Sequence, residues 1–149
     1  MEKERPAFTQ IFAHMAALIS KRSTCKRLHV GSIVVSGDFT KILSVGYNGN
    51  AKGFPNSCDS DEPGKCGCIH SEINALLKAD YSEKDKIMFV TDIPCVNCAK
   101  AIINADIKKV FYIRKYRITD SLDLFKKAGI PTFQIKLEPI AIDDFINIT

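Results

Sequence analysis

No apolar run in this chain approaches the roughly 20 residues that a membrane-crossing helix requires. The opening Met1-Glu2-Lys3-Glu4-Arg5-Pro6 also lacks the order of a secretory leader. The 149 residues hold no low-complexity stretch, repeat or linker, so one compact domain over 1–149 is expected. A large excess of positive charge is lacking too. A net +4 suits a small anionic ligand and falls short of the dense basic stripe that nucleic acid recruits. An obvious aromatic platform for stacking bases is missing as well. These absences lead us to expect a soluble, cytoplasmic protein with no membrane partner and little claim on nucleic acid. Cysteine is what the chain has in number, six in all. Without a secretion signal, that number reads as metal ligands and free thiols in a reducing compartment rather than as disulfides.

His70-Ser71-Glu72 followed by Pro94-Cys95-Val96-Asn97-Cys98 supplies three zinc ligands and a carboxylate to spare. A structural zinc closes its tetrahedron with four protein ligands, whereas a catalytic one uses three and leaves a corner for water. His70, Cys95 and Cys98 make three. The two cysteines, three apart, put their sulfurs on one face of a helical turn, and Pro94 suits the first position of that helix, where its missing N–H goes unnoticed. His70 and Glu72 converge on one metal only at a helix start, before the first residue has entered the helical path. The run Ile73-Asn74-Ala75-Leu76-Leu77 favours such a helix. Two helix N-termini facing one ion favour thiolate over thiol. Zinc in such a site brings the pKa of its water down to about 7, and Glu72 is placed as the proton shuttle of a hydrolytic reaction, the combination found in zinc deaminases. The competing reading is a structural zinc closed by Cys66, Cys68 or Glu72 itself.

The scaffold reads as alternating helices and strands. Phe8, Ile11, Phe12, Met15, Leu18 and Ile19 recur at helical spacing, giving an amphipathic helix to about Lys21. Strands over 30–35 and 42–47 form a hairpin through Ser36-Gly37-Asp38. Residues 48–69, rich in Gly and Pro, form a long loop that feeds His70, and loops of that length are commonly functional. After the His70 helix come a strand over 87–91, the Cys95 helix, a strand over 109–113, a helix over 119–128 stopped by Gly129 and Pro131, and a last strand around 133–137. This alternation predicts an α/β sheet flanked by helices, with the zinc ligands at the edge where such sheets bind ligands.

His70-Ser71-Glu72-Ile73-Asn74-Ala75 and Pro94-Cys95-Val96-Asn97-Cys98-Ala99-Lys100-Ala101-Ile102 resemble the zinc-dependent cytidine and deoxycytidylate deaminase superfamily. Arg22-Ser23-Thr24-Cys25-Lys26-Arg27, Val30-Gly31 and Gly46-Tyr47-Asn48-Gly49 narrow the likeness to the deoxycytidylate (dCMP) deaminases of short bacterial and phage type. The resemblance runs from about Arg22 to Tyr116. It implies hydrolysis of dCMP to dUMP and ammonia on one catalytic Zn²⁺, and a cytidine-deaminase-like three-layer α/β/α fold on a mixed five-stranded sheet. It also implies a homo-oligomer, with a hexamer favoured, and control by dCTP and dTTP. Residue by residue, it makes His70, Cys95 and Cys98 the metal ligands and Glu72 the catalytic residue. Asn48 is the expected sugar or base contact, against a plain turn role for Asn-Gly. Arg27, with Lys26 or Arg22 behind it, is the candidate for the 5′-phosphate, against a merely solvated arginine, and Tyr116 lines the pocket or simply packs.

Three departures from the family pattern stand out. Ser71 replaces the usual Ala, and Asp92-Ile93 replaces smaller residues before Pro94. Cys66-Gly67-Cys68 lies just ahead of His70 and, with Cys25 and Cys58, adds four thiols. Four thiolates close a tetrahedron, so a second, structural zinc on Cys25, Cys58, Cys66 and Cys68 is one reading, with His29 or His14 as stand-ins for one sulfur, and separate free thiols the other. The remaining alternatives are a deaminase of dCTP, of a free base or of nucleic acid, and a non-catalytic zinc module serving assembly. The apolar tail Ile140-Ala141-Ile142 with Phe145-Ile146 suggests a docking surface.

Overall fold

The computed structural model describes residues 5–115 and 118–142. In chain order it contains α1 Phe8–Ser20, β1 Gly31–Val35, β2 Ile42–Tyr47, α2 Ser71–Lys78, β3 Lys86–Asp92, α3 Val96–Asn104, β4 Ile107–Arg114, α4 Asp120–Lys127 and β5 Thr132–Gln134. The five strands form one sheet in the order β2-β1-β3-β4-β5. β1 runs antiparallel to both β2 and β3, whereas β3, β4 and β5 are parallel. The parallel half follows from its connections, since α3 and α4 carry the chain back across the sheet and parallel neighbours need such a crossover. None of the described helices is long and apolar enough to cross a membrane.

Every residue of β1 and β3 is buried, which requires cover on both faces of the sheet. Side chains alternate accordingly. Ile33, Val35, Ile87 and Phe89 pack with Phe12, Ala13 and Ala16 of α1, while Val34, Met88 and Val90 pack with Ala75 of α2, Ala99 and Ile102 of α3 and Phe125 of α4. The result is a three-layer α/β/α arrangement, as expected. Phe89, Phe111 and Phe133 stack on neighbouring strands at centroid separations of 4.7 and 5.0 Å, each pair adding about 0.5–1.5 kcal/mol beyond its buried area.

Two glycines set how closely helices approach the site end of the sheet. A Cβ on Gly31 would overlap the carbonyl oxygen of Ala16 in α1, and one on Gly46 would overlap that of Ser71 and lie 2.6 Å from the backbone nitrogen of Ala75 in α2. The start of α2 therefore rests on bare β2 backbone, which fixes where His70 and Glu72 sit.

The structure departs from the sequence reading in three places. β4 starts at Ile107, because that side chain is buried and pairs with Lys86. β5 ends at Gln134, although apolar alternation continues through Ile135 and Leu137. Those two side chains reach the α1-side core from a segment that leaves the sheet after the Ile135 N–H donates to the Tyr112 carbonyl of β4 at 2.8 Å. It is held instead by α1: Gln10 donates to the Lys136 carbonyl at 2.9 Å and accepts the Glu138 N–H at 3.0 Å. Finally, Pro94 precedes the N-cap of α3, which is Cys95, so Val96 and not Pro94 takes the first helical position. Of the apolar tail, Ile142 is exposed, while Phe145 and Ile146 lie outside the described residues.

Candidate metal centre

Two helix starts meet at the end of the sheet. His70 is the N-cap of α2, with extended backbone at φ −67 and ψ 150, so its ring turns back while Glu72 enters the first turn. Cys95 is the N-cap of α3, and its sulfur accepts the Cys98 N–H at 3.4 Å. His70 Nδ1 lies 3.6 Å from Cys95 Sγ and 3.3 Å from Cys98 Sγ. A tetrahedral zinc with bonds of about 2.3 Å to sulfur and about 2.0 Å to nitrogen has sulfur-to-nitrogen edges of about 3.5 Å. The donor set therefore fits zinc as it stands.

Glu72 lies beside this triad and is 4% exposed. Burial pushes its carboxyl above the ordinary range, with its own backbone N–H, the His70 ring and Ser71 acting the other way. Ser71 Oγ donates to Glu72 Oε2 at 3.2 Å and sits 2.6 Å from Ser32 Oγ. Since the Ser71 hydrogen is committed to the carboxylate, Ser32 supplies the other. A hydrogen bond from Cys98, then one from His70, lowers the Cys95 thiol to about 4, and the same contact with Cys95 raises His70. The Cys98 thiol is pushed up, first by Cys95 and then by burial.

These groups open into a cleft of about 430 Å³, whose wall includes Arg27, Leu28, Val30, Asn48, Asp92 and Ile93. Asn48 is buried, accepting the Val30 N–H at 2.8 Å and donating to the Leu28 carbonyl at 2.6 Å. Arg27 is exposed in the wall. Its expected companions are elsewhere: Lys26 pairs with Asp61 at 3.1 Å, and Arg22 lines a separate cavity with Tyr47 and Gly49. The chain turns at the end of α1, so residues adjacent in sequence part company. Tyr116 lies outside the described residues.

The remaining four cysteines converge beside the cleft, with Cys25, Cys66 and Cys68 in its wall. Ligand atoms of Cys25, Cys58, Cys66 and Cys68 all lie within 4.8 Å of one another, with Cys58 Sγ 3.8 Å from Cys25 Sγ and 3.7 Å from Cys68 Sγ. A tetrathiolate zinc has edges of about 3.8 Å, so this cluster also fits the metal. Burial works to raise Cys25, but N–H groups of Leu28 and Arg27 and the thiols of Cys58 and Cys68 outweigh it and bring it to about 7. All six cysteines are free thiols. Neither histidine stand-in takes part: His14 meets the Glu138 carbonyl at 2.6 Å, and among the described residues His29 is not in the cluster. Sequence reasoning missed Ser32 as the partner of Ser71. The signal was there, a lone hydroxyl in an otherwise apolar buried strand.

The family model for the cytidine and deoxycytidylate deaminase zinc-binding region matches residues 7–114. The chain belongs to this family. It is 32% identical to ComE operon protein 2 of Bacillus subtilis over 94% of this chain and 77% of that one. It is also 32% identical to the deoxycytidylate deaminase of Schizosaccharomyces pombe, over 85% of this chain and 43% of that longer one. The solved structure of the dCMP deaminase of cyanophage S-TIM5 in complex with dCMP and dUMP superposes with a TM-score of 0.78 at 36% identity, covering 89% of this chain and 100% of that one.

Proposed function

We propose that this chain is a zinc-dependent hydrolase that deaminates dCMP to dUMP and ammonia. The observation that carries the reading is a three-donor zinc site beside a buried, unliganded carboxylate, both opening into a cleft with an arginine in its wall. The phage enzyme solved with dCMP and dUMP, and the relatives named deoxycytidylate deaminase, support the choice of substrate.

His70, Cys95 and Cys98 hold the ion. Zinc, when bound, supplies the Lewis acidity that makes water nucleophilic near neutral pH. Glu72 accepts a proton on its carboxylate, passes it to the pyrimidine ring nitrogen and delivers a proton to the departing amine. Its burial favours a carboxyl that both takes and gives a proton, and Ser71 fixes its rotation. Arg27 takes the 5′-phosphate, because a guanidinium matches phosphate oxygens two at a time. Asn48 retains one amide N–H and one lone pair beyond its two backbone bonds, and these face sugar or base.

Cys25, Cys58, Cys66 and Cys68 hold a second, structural zinc, supported by their near-tetrahedral spacing. It gives a loop with little core a fixed shape. Control by dCTP and dTTP within a homo-hexamer belongs to the same reading. The cavity beside Tyr47 and Gly49, which carries Arg22, Lys52, Lys78 and the Phe54 ring, suits a nucleoside triphosphate.

The test is a spectrophotometric deamination screen of the purified chain over cytidine, deoxycytidine, dCMP, dCTP and 5-substituted analogues, with and without dTTP. We expect dCMP to lead in kcat/KM. Turnover of single-stranded nucleic acid or a free base with none on dCMP overturns the reading.

A further inference from the structure

A cleft that receives a phosphate has a buried carboxylate in its wall. Asp92, the last residue of β3, is 3% exposed and lines the cleft, where its charge opposes an anion. Arg114, the last residue of β4, pairs with it in the parallel register. Its Nη2 donates to Asp92 Oδ2 at 2.8 Å, and its Nε lies 2.8 Å from Oδ1. No aligned hydrogen bond reaches Oδ1 among the described residues, so that contact of opposite charges is what balances it.

The same guanidinium reaches the chain segment that carries Arg27. Nη2 also donates to the His29 carbonyl at 3.2 Å. Thr91 Oγ1 donates to Asp92 Oδ2 at 2.7 Å while accepting the Gly31 N–H at 3.2 Å. From the opposite side, Asn48 holds Leu28 and Val30. Residues 28–31 are thus pinned from the ends of β2, β3 and β4, and Arg27 leaves from a fixed point. Arg114 itself is not in the cleft wall.

We propose that Arg114 is a positioning residue for recognition of the substrate phosphate: it cancels the Asp92 charge in the cleft wall and ties down the His29 backbone, so that Arg27 presents its guanidinium at a set place. This rests on the dCMP reading. Lysine is no substitute, because a point charge on a flexible stem cannot span two carboxylate oxygens and a carbonyl at once.

The experiment compares the intact protein with Arg114→Ala and Arg114→Lys. It measures kcat and KM for dCMP, zinc per chain, and inhibition by dUMP and by deoxyuridine, which differ only in the phosphate. In Arg114→Ala KM should rise about tenfold or more, as expected when the buried Asp92 loses its charge partner; in Arg114→Lys, which keeps the charge but loses the fork to Asp92 and His29, it should rise at least about threefold, with kcat changed less than about threefold in both. Inhibition by dUMP should weaken in step with KM, that by deoxyuridine should change less than about threefold, and zinc should be retained. Arg114→Lys keeps the Asp92 charge balanced, so it answers the question even if Arg114→Ala folds poorly. An unchanged KM, or equal weakening of both inhibitors, overturns the proposal. A wild type inhibited no better by dUMP than by deoxyuridine sinks the dCMP reading and this one with it, whereas a preference for dUMP that survives in the variants sinks only this one.

Discussion

Replacing Glu72 with glutamine separates chemistry from architecture at a single position. The side chain is 4% exposed, the amide has the same shape as the carboxylate, and Ser71 can donate to its oxygen as it does to Oε2. What the amide cannot do is accept and return a proton. General acid–base catalysis by one group contributes about 10²–10⁴-fold, and Glu72 serves as base and then as acid in one turnover. The loss in kcat should therefore lie near the upper figure, equivalent to about 5.5 kcal/mol at about 1.4 kcal/mol per tenfold. Stability should move the other way. Burial raises the Glu72 carboxyl above 4.5, so its contribution to folding is present in full at low pH and is lost as pH climbs through the raised value. A neutral amide escapes that loss, and the metal-free variant should unfold at the same temperature as wild type or higher at pH 7. The assay follows absorbance as cytosine becomes uracil on dCMP, alongside zinc per chain by a chelating dye after denaturation. Turnover within tenfold of wild type, with zinc in place, would refute the shuttle role. Loss of zinc would make Glu72 a ligand and return the centre to a structural one.

The other expectations concern the thiols and the packing around them. Cys58 is the sulfur within 3.8 Å of both Cys25 and Cys68, so Cys58→Ser should lower bound zinc from two per chain to one and expose residues 51–67 to proteolysis; one zinc in the wild type ends the second-site reading. In metal-free protein the exposed Cys95, whose thiol is lowered to about 4, should react with iodoacetamide at a rate nearly flat between about pH 6 and 8, and zinc should suppress the reaction. A rate climbing about tenfold per pH unit marks an ordinary thiol and contradicts the assigned environment. Gly46→Ala drives a methyl into the Ser71 carbonyl and should cost about 1–3 kcal/mol in thermal or denaturant unfolding. An unfolding free energy indistinguishable from wild type means that α2 does not rest on β2 as described.

What could be read from the sequence was what depends on local spacing. Cysteines three apart at a helix start, a histidine one residue before a helix, and buried strands of branched residues each announce themselves within a few positions. The residues that went unread are joined through the sheet. Ser32 meets Ser71 only because β1 lies under α2, and Arg114 meets Asp92 only because β3 and β4 run in parallel register. The lone hydroxyl of β1 marks Ser32 as unusual, but neither segment alone names its partner. The overextended last strand shows the converse, since Ile135 and Leu137 keep strand-like alternation while the chain beyond Ile135 exchanges sheet partners for α1. Arg22, Lys26 and Arg27 form one cluster in sequence and three separate surroundings in space.

The mixed direction of the sheet explains why so much chemistry gathers in so small a protein. β3 and β4 both end at the edge that carries the site, delivering Asp92, then Cys95, and Arg114. Because β1 runs against β3, its beginning comes to the same edge and brings segment 28–31 with it; because β2 runs against β1, its end returns there and delivers Asn48. An all-parallel sheet would have sent the start of β1 to the far side. One reversed strand thus brings the zinc-holding helix starts and the wall that carries Arg27 within reach of each other, and the short bonds from Asn48, Thr91 and Arg114 hold that wall in register. The division of labour follows from rigidity. The groups proposed for the reaction sit on helix starts, that of α2 packed against the bare backbone of Gly46, where a small displacement would cost most. Those proposed for the choice of nucleotide sit on loops held by side-chain ties, among them the four thiols, Asn48, Thr91 and the Asp92–Arg114 pair, so changes at those ties should alter which molecule is bound before they alter how it reacts.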